Sequence, residues 1–183
     1  MSNCRAILRG VDEFFTQVGI AANNGLYFLA LAGALTIPDI CGALESDNGW
    51  ATGAKYAAWF DKHVASLHTP GWRSGEPILS GETCYQFRCS FLHQGTTHHL
   101  ASNYSRIMFV ECGATSNIFH MNVLNGALNI DVRLFCLEMV TAAQAWRGGV
   151  VGTELYETNL TKFVARYPQG LAPYYFAGVP VIG

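Results

Sequence analysis

The longest apolar run in the chain, Gly25 to Ile37, spans thirteen residues and is closed by Asn23–Asn24 on one side and Pro38–Asp39 on the other. A bilayer needs about 18 to 20 consecutive apolar residues. The run falls short of a span, so the rest of the chain has to cover it. The first fifteen residues mix Arg5, Arg9, Asp12 and Glu13 without a sustained apolar stretch, which is not the pattern of a secretory leader. These features predict a soluble, cytoplasmic protein with no membrane partner and the run at the centre of a helical core. Half of the 183 residues are hydrophobic and 13% are charged. That is a surplus of apolar surface for a monomer, and it predicts a homodimer interface. At this length one domain covering residues 1–183 is expected.

Helical periodicity dominates the chain. Val11 to Leu35 reads as a long helix with a kink or break at Asn23–Asn24–Gly25. Pro38 to Glu45 reads as a second, short helix, with Pro38 at a tolerated early position and Asp39 near the positive helix end. Ala54 to Leu67 follows as a third, and the Gly- and Pro-rich stretch from Thr69 to Gly81 is a loop. Ser80 then caps a helix from Gly81 to Gln94, which Gly95 stops. The period switches to two at Arg106–Glu111 and Asn117–Leu124, predicting a hairpin around a turn at Cys112–Ser116. Helices from Ile130 to Arg147, capped by Asn129, and from Thr153 to Tyr167 complete the pattern. The expected fold class is mainly α, with a small inserted β-hairpin at about 105–124 and an extended tail at about 168–183.

Arg88 and His93 stand five apart near the end of the capped helix, in the run Cys84–Tyr85–Gln86–Phe87–Arg88–Cys89–Ser90–Phe91–Leu92–His93–Gln94–Gly95. This R-x4-H arrangement, with long helices before and after it, resembles the HEPN superfamily. The upstream run Leu35–Thr36–Ile37–Pro38–Asp39–Ile40–Cys41–Gly42–Ala43–Leu44–Glu45 is similar to a group of uncharacterised bacterial HEPN-like proteins. The resemblance implies a HEPN-like helical bundle and a metal-independent RNA endonuclease acting as a homodimer. It also implies a toxin or defence setting, with RNA as substrate and an antitoxin protein as partner. In that reading His93 is the general acid or base and Arg88 holds the phosphate. Where family members often have Asn, Asp or His after the arginine, this chain has Cys89, so Ser90 takes the supporting polar role or activity is reduced. The alternative is a non-catalytic HEPN-like dimerisation module that binds RNA, a nucleotide or a partner protein.

Elementary helix geometry places the two residues about 140° apart around the axis and about 7.5 Å apart along it. On a straight helix they do not face one target. They converge if the helix frays at His93, or across a two-fold axis. A competing reading pairs Arg88 with Glu82 or a neighbouring helix and uses His93 to cap the helix end. Cys89 and His93, at i and i+4, share a face that suits a metal pair, but no second ligand pair of matching spacing accompanies them. No metal and no cofactor is expected. His98 and His99 read as solvated loop residues, and no Gly-rich phosphate loop is present. The six cysteines carry no C-x2-C pair and read chiefly as small buried hydrophobes. The net charge of −2 offers no general basic field, so nucleic acid would need a local patch.

Overall fold

The computed structural model describes residues 10–68, 77–97, 104–113, 116–174 and 178–183. The expectations for Cys4, for the loop residues 69–76 and for His98 and His99 lie outside the described residues. The chain is mainly helical. Its α-helices are α1 (Gly10–Asn23), α2 (Tyr27–Leu44), α3 (Gly53–His63), α4 (Gly81–Gln94), α5 (Val132–Val150) and α6 (Glu154–Leu160), with a 3-10 turn at Ala65–His68.

The break between α1 and α2 falls where Asn24 and Gly25 stand: Gly25 takes a positive φ of 73°, a conformation open to glycine at no steric cost. Beyond it, α2 does not stop at Pro38. It continues to Leu44, so the expected short helix Pro38–Glu45 is the second half of one helix of 18 residues. A proline inside a helix forfeits one backbone hydrogen bond and costs about 3 kcal/mol. Burial offsets this, because Ala34, Leu35, Ile37, Pro38 and Cys41 are all buried around it. The thirteen-residue limit read from the sequence is also corrected. Tyr27–Leu44 is long and apolar enough to cross a bilayer by length and composition, and half of it is buried inside the protein. It is the central helix of the core, packed against α1, α3, α4, α5 and α6.

The β segment differs from the predicted hairpin. β1 (Arg106–Val110) pairs in parallel with β3 (Ala127–Asp131), and the short β2 (Asn122–Leu124) pairs antiparallel with β3 on its other side. The tight turn is Asn125–Gly126, both at positive φ, the two-residue hairpin geometry these residues favour. Residues 127–131 are therefore a strand, and α5 begins two residues later than expected, capped by Asp131 rather than Asn129, with Leu134 N–H donating to Asp131 Oδ1 at 2.9 Å. Nor is the sheet a protruding insertion. Ile107, Leu128 and Ile130 are buried, and Phe109 stacks between Phe87 of α4 and Phe135 of α5.

The last helix is shorter than expected, Glu154–Leu160 rather than Thr153–Tyr167. Its Asn159, 4% exposed, donates Nδ2 to the carbonyls of Ser46 at 2.7 Å and Leu44 at 3.2 Å, satisfying acceptors that the end of α2 leaves over. The chain then forms β4 (Arg166–Tyr167), and the tail returns as β5 (Val181–Ile182) to pair antiparallel with it.

Candidate functional site

The helix that carries the candidate residues is built as its ends predict. Ser80 Oγ accepts from Thr83 N–H at 3.2 Å, and Gly95 closes the C-terminus in the left-handed conformation at φ 64°. The first turn of α4 sits directly on α3. Gly81 N–H donates to Asp61 Oδ1 at 2.7 Å, and the Tyr56 hydroxyl meets Cys84 Sγ at 3.4 Å in the buried interface.

Neither fraying nor a second subunit is needed to bring Arg88 and His93 together. The helix runs unbroken to Gln94, and Arg88 Nη1 lies 3.0 Å from His93 Nε2. Helical side chains lean toward the N-terminus, so the His93 ring tips back over the last turn, and the long arginine spans the remaining angle. Guanidinium has donors and no acceptor. With the imidazole neutral and its proton on Nδ1, Nε2 of His93 accepts in this contact. His93 is exposed and Arg88 half-buried.

Arg88 does not pair with Glu82, which instead accepts from Gln86. Its partner is Asp39 of α2, with Nη2 2.8 Å from Oδ2. Burial pushes the Asp39 carboxyl up, and the attraction of Arg88 and, more weakly, of His93 only partly offsets it, so it lies above its ordinary range. Burial works against the Arg88 charge too, but the Asp39 carboxylate and Cys89 together outweigh it, and the guanidinium is held above its ordinary range. The pair keeps Arg88 charged and fixes its direction. Asp39 thus belongs to the site, and it stands in the second half of α2 and not at the start of a short helix.

Of the two supporting residues, Ser90 is buried at 3% exposure, so its hydroxyl does not face the same solvent as His93. Cys89 is half-buried beside Arg88. The hydrogen bond to Cys89 is the main reason the Tyr85 phenol lies above its ordinary range. Tyr85 itself packs on Tyr56 at a centroid distance of 5.3 Å, adding an aromatic face next to the arginine.

Comparison of the chain with family models, with curated proteins and with solved structures returned no match. The HEPN resemblance rests on the residues themselves.

A second cluster has no counterpart in the sequence motifs. His68 Nε2 and His120 Nε2 each lie 3.1 Å from Glu138 Oε2. Burial pushes the Glu138 carboxyl up, but the two imidazoles, His120 foremost, more than offset it and hold it down at about 2. The three residues come from the 3-10 turn after α3, the segment before β2, and α5. No spacing rule joins positions so far apart, and only the folded chain reveals them.

Proposed function

We propose that the chain is a HEPN-like, metal-independent RNA endonuclease, acting as a homodimer in the bacterial cytoplasm in a toxin or defence role, with an antitoxin protein as its counterpart. The observation that carries the reading is the Arg88–His93 contact of 3.0 Å at an exposed helix end. It joins a fixed phosphate-binding fork to an imidazole with an accepting nitrogen. An RNA phosphate competes for the guanidinium donors, and its arrival releases His93 Nε2. That nitrogen then takes the proton of the ribose 2′-hydroxyl as the 2′-oxygen bonds to phosphorus. Arg88 neutralises the charge that develops on the phosphoryl oxygens. The bond from phosphorus to the 5′-oxygen breaks, the electron pair leaves on that oxygen, and a proton reaches it from the imidazolium of the second subunit's histidine. The products are a 2′,3′-cyclic phosphate and a 5′-hydroxyl.

Exposed apolar residues at the α1–α2 junction support self-association: Ile20, Leu26, Phe28 and Leu29, with Phe28 at 82% exposure. The same residues, together with the neutralisation of Arg88 by Asp39, favour the second reading, a dimerisation module without catalysis. Incubation of the purified chain with a mixed RNA pool in chelator separates the two. The nuclease reading expects cyclic-phosphate ends, and a loss of about 10²- to 10⁴-fold in Arg88→Ala and in His93→Ala. Absence of cutting by folded, dimeric wild type would replace it with the binding module.

A further inference from the structure

His68, His120 and Glu138 lie away from the proposed nuclease residues along the chain, and their arrangement has its own logic. Their ligand atoms all fall within 4.8 Å of one another. The side chains are 5%, 13% and 28% exposed respectively, so the cluster is closed on the histidine side and open at the carboxylate. Among the described residues no lysine or arginine pairs with Glu138, and a half-buried carboxylate calls for a cation. His120 Nε2 is hydrogen-bonded to Glu138 Oε2. His68 Nε2 reaches the same oxygen at 3.1 Å without the alignment of a hydrogen bond.

Two of the three distances fit as well. An ion about 2.0 to 2.1 Å from nitrogen and oxygen in tetrahedral geometry separates its ligand atoms by roughly 3.3 Å. The two 3.1 Å contacts need to open by only a few tenths of an ångström, and the two imidazole nitrogens, within 4.8 Å of each other, settle to the same spacing around the ion. Met121, next to His120, takes the left-handed φ of 51° while its own side chain is buried. The backbone reversal there turns His120 toward α5.

We propose that His68, His120 and Glu138 bind one divalent first-row transition metal ion, with zinc the ion these ligands suit best. Two imidazoles and one carboxylate are a zinc donor set that leaves a fourth position for water, and nitrogen ligands disfavour magnesium and calcium. The open side at Glu138 is where that water sits. The ion ties the 3-10 turn, the approach to β2 and α5 together, and it stands apart from the metal-independent chemistry proposed at Arg88 and His93.

The test uses the full chain without a histidine tag, stripped with chelator and titrated with Zn²⁺ by calorimetry, with thermal melts in parallel. One ion per chain and a rise in melting temperature are expected. Glu138→Gln and His120→Ala should each weaken binding at least tenfold and abolish the rise. Glu138 is partly exposed, so its variant is expected to fold, and circular dichroism verifies this. A Cys89→Ser, His93→Ala variant and a His98→Ala, His99→Ala variant should bind as wild type does. The proposal is overturned if the folded chain shows no saturable binding. It is equally overturned if Glu138→Gln and His120→Ala bind unchanged, or if the ion follows Cys89, His93, His98 or His99 instead. RNA cleavage surviving the chelator leaves this proposal untouched, so the two readings fail separately.

Discussion

Replacing Gly81 by alanine puts the contact between α3 and α4 to its most direct test. A Cβ on Gly81 would stand 2.2 Å from the Ala57 carbonyl oxygen, 2.6 Å from its Cα and 2.7 Å from its carbonyl carbon. All three atoms belong to the backbone of α3, which cannot rotate aside as a side chain can. The first turn of α4 has to retreat by about an ångström. That movement stretches the Gly81 N–H bond to the Asp61 carboxylate and opens the buried contact of Tyr56 with Cys84. Overpacking costs about 1 to 3 kcal/mol, and a hydrogen bond to a charged acceptor about 1.5 to 3, so the variant should lose roughly 3 to 5 kcal/mol. For a chain of this size that is a fall in melting temperature of about 10 °C, followed by circular dichroism and by urea titration. Gly148→Ala is the control. Nothing lies within 4 Å of the Cβ it adds to α5, and alanine in a helix should stabilise by about 0.5 to 1 kcal/mol. If Gly81→Ala stays within about 1 kcal/mol of wild type, α4 does not rest on Ala57, and the placement of Arg88 derived from that packing fails.

Asn159→Ala removes the donors to the Ser46 and Leu44 carbonyls and should cost about 1 to 3 kcal/mol, read from urea unfolding, because the Leu44 acceptor is left buried while Ser46 keeps the Gly49 N–H. Burial pushes the Cys84 and Cys136 thiols up to about 12. Both should therefore resist alkylation of the native chain at neutral pH while exposed Cys112 reacts, as mass spectrometry of labelled peptides would show. Asp39 holds its proton more tightly folded than its ordinary value of 3.8. Its contribution to stability is therefore present below that value and lost as pH rises through the folded one. Asp39→Asn should flatten that part of the stability curve, measured by denaturant melts across acidic pH.

What could be read from the residues in order was whatever local chemistry decides. Both ends of α4 fall where Ser80 and Gly95 put them, since a cap and a left-handed stop act within one turn. The length of α2 was hidden because Pro38 is a helix breaker by local rules, and only the burial of its neighbours outweighs the lost bond. β3 was hidden for a related reason. Asn125–Gly126 is the turn between β2 and β3, and Leu128 and Ile130 are buried in a way that fits a helix start as well as a strand. The meeting of Arg88 and His93 was missed by helical angles alone, because those angles describe Cβ directions and not the reach of a guanidinium. Asp39 and the His68–His120–Glu138 cluster depend on contacts between distant segments, on which local spacing is silent.

Asp39 also separates stability from function. A carboxylate in the most apolar helix, 18% exposed and facing a guanidinium 20% exposed, gains attraction but loses much of its hydration. Pairs so enclosed are often no more stabilising than apolar residues of similar volume. The double variant Asp39→Leu, Arg88→Met should therefore be as stable as wild type, or more stable by about 1 to 3 kcal/mol. Arg88→Met alone should be less stable than the double variant, because it leaves the carboxylate without a partner. Calorimetric melts of the three chains give that ordering. The RNA cleavage assay then gives the second half. If the pair serves to aim a charged fork at the end of α4, the stable double variant cuts no RNA, and stability and activity part company. A double variant markedly less stable than Arg88→Met would reverse the argument, making the pair a structural tie between α2 and α4 and removing the reason to assign it a chemical role.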